Sequence, residues 1–145
     1  MSHQTTARIL LAIFCALQGA GTVAVDMNRT HAANPQWIGH ARFHVVWQSA
    51  TIVALTVFEI VLLFWQGRES ELRFYAVAAL AAIPPVGFFA AFLTRRIYGG
   101  TLSDPNGIPP LRIKMASSHY CVDMNLVVEC AALAVLVALT LFFSS

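Results

Sequence analysis

Charge is scarce in this sequence. Asp, Glu, Lys and Arg make up 11% of its 145 residues, against about a quarter in a typical soluble domain. That scarcity excludes an ordinary water-soluble globule. It also leaves no basic patch fit for nucleic acid, because the basic residues sit in short segments beside apolar runs. Cysteine is sparse too. Cys15, Cys121 and Cys130 lie in or next to apolar runs, without zinc-motif spacing and in odd number, which points to apolar packing rather than a disulfide framework. No solenoid-type repeat is present.

What the chain has is hydrophobic length. Its hydrophobic residues, 58% of the total, gather into four runs close to the roughly 20 residues that cross a bilayer. The runs are apolar nearly all round, unlike the one-sided helices of a soluble bundle. The expected fold is therefore all-α: an integral-membrane four-helix bundle in a single transmembrane domain, 1–145, with short loops. Its spans are expected at about 9–25, 40–65, 72–93 and 119–143. Arg8 ahead of the first run and Thr22-Val23-Ala24 near its end are signal-peptide-like features, but the run is read as the first span.

Each span carries a few polar residues. On the first, Cys15, Gln18, Thr22 and Asp26 fall within about 80° of arc, an edge expected to face protein. On the second, His40, His44, Gln48, Thr51 and Glu59 fall within about 100° and are expected to form an inward stripe. Glu59 lies deep, where a carboxyl costs several kcal/mol unless protonated or paired. Pro84-Pro85 is expected to kink the third span and leave carbonyls short of donors. The stretch 94–118 is rich in turn residues and reads as a long loop. Asp123, Asn125 and Glu129 open the fourth span, and Val25-Asp26-Met27-Asn28 recurs as Val122-Asp123-Met124-Asn125.

Alternating spans bring the two loops with most of the chemistry to one face. Those loops hold Arg29, Arg42, Arg95, Arg96, Arg112 and Lys114, against Arg8, Arg68 and Arg73 on the other side. The bias favours a cytoplasmic loop face, with both termini opposite. Asp26, Asn28, His31, His40, His44, His119 and Asp123 all fall at that face. Two i,i+4 pairs, His40/His44 and His119/Asp123, are candidates to offer two ligand atoms each from one helix face, as bundle metal sites do. The candidate metal ligands are thus His40, His44, His119, Asp123 and His31, with iron, copper or zinc suiting such donors. Asp26, Glu59 and Glu129 are candidate catalytic acids or bases. Asn28, Gln48 and Asn125 are candidates to orient the ligand rings, and Arg42 and Arg112 to hold an anionic head group. A b-type haem between His44 and His119 ranks below a metal ion.

The run Asn28-x-Thr30-His31, Asn34-Pro35-x-Trp37, His40-Ala41-Arg42-Phe43-His44 resembles the signature of a small family of four-span integral-membrane proteins. The resemblance covers about 20 residues and implies no particular activity. Membrane hydroxylases and desaturases are similar in using histidine boxes, but need more histidines than the five here. Membrane copper monooxygenases offer a looser likeness, an acid and two histidines around a span end, through Asp26, His31 and His44.

The expected function is a small membrane metalloenzyme, an oxidoreductase or isomerase, acting on a lipid, quinone or isoprenoid. One alternative is a metal-free acid–base isomerase or cyclase using the same pocket. The other is an accessory subunit of a larger membrane complex or homo-oligomer.

Overall fold

A computed structural model describes residues 2–67, 69–103, 106–115 and 118–145. Helix α1 runs His3–Asp26, α2 Gly39–Phe64, α3 Ser70–Ala81, α4 Ile83–Tyr98 and α5 Met124–Ser144. Strands β1, Leu111–Met115, and β2, Ser118–Val122, form an antiparallel hairpin between α4 and α5. With α3 and α4 joined end to end, four helical segments among the described residues are long and apolar enough to cross a membrane. The chain is a membrane-spanning four-helix bundle.

Three boundaries differ clearly from the sequence reading, the third span running on to Tyr98, past its expected end at 93. Helix α1 begins before Arg8, because that guanidinium is satisfied within the protein: its Nη atoms donate to the carbonyls of Leu63, at 3.5 Å, and Ser70, at 2.5 Å. The last helix begins only at Met124, because Asp123 caps it, Oδ1 accepting from the amides of Asn125 at 3.0 Å and Leu126 at 3.2 Å. The stretch before it alternates apolar and basic residues, Leu111-Arg112-Ile113-Lys114, a two-residue period that suits a strand. The long loop therefore contains a ribbon, and His119 sits on a strand.

The third span breaks where the prolines demand it. Pro85 has no amide hydrogen for the Ala81 carbonyl four residues back. Gln18, on the polar edge of α1, supplies the missing donor, its Nε2 lying 3.1 Å from that oxygen. The polar edge of α1 does face protein: Cys15 is buried, and Gln18, Thr22 and Asp26 are half-buried.

The buried core lies toward the end of the bundle that holds both termini. It comprises Ala7, Leu11 and Cys15 of α1, Leu63 of α2, Phe74, Val77, Ala78 and Ala81 of α3, and Leu136, Leu139 and Phe143 of α5. Toward the loop face, by contrast, α4 buries only Pro85, while the buried residues of α2 and α5 start at Ser49 and Leu136. The helices thus leave room between them at that face.

Helices α1 and α2 meet through small residues, as membrane helices do when only packing draws them together. A Cβ built on Gly19 would stand 2.7 Å from Thr56 Oγ1 and 3.1 Å from its Cβ. Thr56 has little freedom to move aside, being β-branched and donating to the Cys15 carbonyl at 3.3 Å. Gly19→Ala is therefore expected to destabilise the protein by about 1–3 kcal/mol, read as a lower unfolding midpoint in detergent. Gly21→Ala, with nothing within 4 Å, is the matched control.

Candidate functional site

The loop between α1 and α2 is tied down by its own polar side chains. Asn28 Oδ1 accepts from the amide of Thr30 at 2.7 Å and from its hydroxyl at 2.5 Å, while Nδ2 donates to Ala24 O at 3.1 Å. Asn34 is fully buried: Nδ2 donates to Thr30 O at 3.2 Å, and Oδ1 accepts from the Gln36 amide at 3.0 Å. The same Oδ1 accepts from Asn106 Nδ2 at 3.2 Å, which places the α1–α2 loop and the α4–α5 connection at one face. Arg42 Nε donates to Trp37 O at 2.9 Å, holding the entry into α2. Asn28 and Arg42, candidates from sequence for ligand or head-group contacts, are thus occupied in shaping the loop.

His31 is built into the same network. Its Nδ1 lies 2.8 Å from the Thr30 hydroxyl. That hydroxyl spends its one hydrogen on Asn28 Oδ1, so His31 Nδ1 must donate to it, leaving Nε2 with the lone pair in the neutral ring. The ring also meets Trp37 edge-on, centroids 5.6 Å apart. Asp26 is engaged elsewhere, Oδ2 accepting from Ser49 Oγ at 3.1 Å. The repeated Asp-Met-Asn motif therefore does two different jobs: Asp26 closes α1 against α2, and Asp123 opens α5.

His40 and His44 come together as a pair, Nε2 to Nε2 at 3.1 Å with ring centroids 4.5 Å apart. His44 also stacks on Trp47 at 5.7 Å. The pair does not point inward. His40, His44, Gln48 and Thr51 are all exposed, whereas Ser49, Thr56, Glu59 and Leu63 form the buried face of α2. At about 100° per residue the histidine row lies roughly a quarter-turn or more from that face. Of the expected stripe, only Glu59 lies inside.

An open groove of about 1060 Å³ runs beside the pair, lined by Gln36, Trp37, Ile38, Ala41, His44, Val45 and Tyr98. Most of this lining is apolar, and His44 is its one imidazole. Tyr98 also borders a smaller cavity of about 210 Å³, lined by Phe88, Ala91, Phe92, Arg95, Thr101, Leu102 and Asn125. Neither Trp37, part of the marked Asn34-Pro35-x-Trp37 run, nor Tyr98 stands among the sequence's site candidates. Aromatic residues at a span end are a signal for the interface, but only the tertiary fold brings these two to one groove.

The remaining candidates lie elsewhere. His119 is on the exposed ribbon opposite Lys114, so His119 and Asp123 do not share a helix face. Arg112 is on the same ribbon, opposite Cys121. Glu129 is half-buried on α5, and neither it nor Gln48 lines the groove or the smaller cavity. Glu59 is fully buried among core residues, beside the Cys15 thiol, with no hydrogen-bond partner for either carboxyl oxygen. Among the described residues, no three His, Cys, Asp or Glu side chains gather as a metal-binding group. Of the five ligands expected from sequence, His40 and His44 are the two whose side chains hydrogen-bond to each other.

No protein-family model, curated protein or solved structure matches this chain.

Proposed function

We propose that this protein binds a hydrophobic small molecule, a lipid, quinone or isoprenoid, in the groove beside α2 and performs acid–base chemistry on it through His40 and His44. The observation that carries the reading is the place of His44. Its ring forms part of the wall of an apolar groove, and its Nε2 is 3.1 Å from a second imidazole. In such a contact one ring nitrogen donates and the other accepts, so a proton is held at the groove's edge by a pair able to pass it on. The sparse packing toward the loop face supplies the space, and Tyr98 of α4 forms part of the groove's lining. The excess of basic residues in these loops favours a cytoplasmic site.

A second reading, a metal ion on the same pair, needs the two nitrogens to part only slightly. Two imidazoles on a tetrahedral metal, each about 2.0–2.1 Å from it, place their nitrogens about 3.3–3.4 Å apart. The pair stands at 3.1 Å. His40 and His44 would then be two ligands of a site completed by other donors, and an iron, copper or zinc ion there would polarise a substrate oxygen.

One purification tests both readings. Hydrophobic molecules extracted from detergent-purified wild type are expected to include a species depleted in Ala41→Trp, which fills the groove. The same species should persist in Leu93→Trp, an exposed position on α4. Equal content in all three proteins would sink the groove reading. Metal retained by wild type and lost in His44→Ala would favour the second reading, and a Soret band would bring haem forward.

A further inference from the structure

We propose that the β1–β2 ribbon lies flat on the bilayer surface and clamps anionic lipid headgroups. Directly opposed residues of an antiparallel pair share a face. The register pairs Leu111 with Val122 and Ile113 with Tyr120 on one face. Arg112 with Cys121 and Lys114 with His119 occupy the other. The ribbon is therefore apolar on one side and basic on the other.

Among the described residues, the bundle leaves both sides largely uncovered. Leu111, Ile113 and Tyr120 are exposed, Val122 is half-buried, and Arg112, Lys114, His119 and Cys121 are exposed as well. A lone two-stranded hairpin is marginal in water, and an uncovered apolar face makes it worse. Position decides what covers it. Val122 is two residues from Met124, the first residue of a membrane-spanning helix, so the ribbon is tethered at the membrane boundary.

Standing upright, the ribbon would leave Leu111, Ile113 and Tyr120 in water. Lying flat, it sets them into the acyl border, with the tyrosine hydroxyl at headgroup level. Arg112 and Lys114 then meet the phosphate layer, their long stems letting the charges reach it. Arg96, exposed in the last turn of α4 at the same face, adds to the positive surface. Charge complementarity selects anionic lipid.

The test uses cysteine accessibility in full-length protein reconstituted into nanodiscs, which expose both membrane faces. A membrane-impermeant maleimide reports on native Cys121, on the basic side, in a Cys130→Ser chain. It reports on the apolar side through Ile113→Cys, and separately Leu111→Cys, in a Cys121→Ser, Cys130→Ser chain. In discs of phosphatidylcholine with phosphatidylglycerol, Cys121 is expected to react roughly tenfold faster than either introduced thiol. Adding Arg112→Glu and Lys114→Glu should narrow that gap, as should discs of phosphatidylcholine alone. Equal rates on both sides, or protection of both, would overturn the flat ribbon. A gap unchanged by lipid charge would overturn the headgroup clamp.

Discussion

Replacing Glu59 with methionine is expected to raise the unfolding midpoint of the detergent-purified protein. The carboxyl is fully buried, and neither oxygen has a hydrogen-bond partner. Leaving a buried polar group unsatisfied costs about 1–3 kcal/mol, and a similarly shaped apolar side chain removes that cost. Methionine matches the unbranched reach of glutamate and adapts to irregular space between helices. A gain of this size corresponds to a few degrees in the midpoint. Glu59→Gln should gain little, because the amide brings donors of its own into the same apolar surroundings. Glu59→Ala should lose stability through the cavity it leaves. A methionine variant less stable than wild type would show that the carboxyl is engaged, with the Cys15 thiol its nearest candidate. A more stable variant that loses the groove-bound species would mark Glu59 as a residue kept for function at the expense of stability.

The largest loss is expected from Phe143→Ala, near the end of α5. Phe143 and Phe74 stack face to face, centroids 3.8 Å apart and planes within 7°, and Tyr75 meets Phe143 edge-on at 5.5 Å. Arg8 covers the stack, its guanidinium carbon 5.1 Å from the Phe143 centroid and 6.0 Å from that of Phe74. The cluster joins α1, α3 and α5 at the end of the bundle where the core is concentrated. Removing a fully buried phenyl ring costs about 3–5 kcal/mol, and here it also takes one wall from the guanidinium site. Thermal unfolding of Phe143→Ala should show a large drop in midpoint, and Phe74→Ala a comparable one. The double variant should lose less than the sum, because the two rings share one contact. Full additivity would mean that the rings act independently.

Membrane character, the number of spans and the polar edge of α1 were legible in the sequence because the bilayer imposes a simple rule: about 20 apolar residues per crossing, with costly groups turned toward protein. The proline kink was legible for the same kind of reason, since a missing amide hydrogen is a local fact. Its resolution by Gln18 was not, because the donor comes from another helix. Asn28, Asn34 and Arg42 stood out as polar residues in a marked run, but only the folded loop shows that they satisfy backbone groups, Asn28 also accepting from the Thr30 hydroxyl and Asn34 from Asn106.

The rotation of α2 was the decisive tertiary choice. A row of His40, His44, Gln48, Thr51 and Glu59 looks like one stripe on a helical wheel, yet the edge of the packed face falls within it. Small residues at the α1 contact, Gly19 against Thr56, turn Ser49, Thr56, Glu59 and Leu63 inward and leave the histidines outside. The ribbon was written in the alternation of residues 111–114, but its effect on His119 depended on where Asp123 caps α5. The sequence by itself determined a four-span membrane bundle with histidines at one face, because hydropathy and chain alternation are enough for that. Which of those histidines meet, and what lies beside them, was decided by packing across helices distant in sequence.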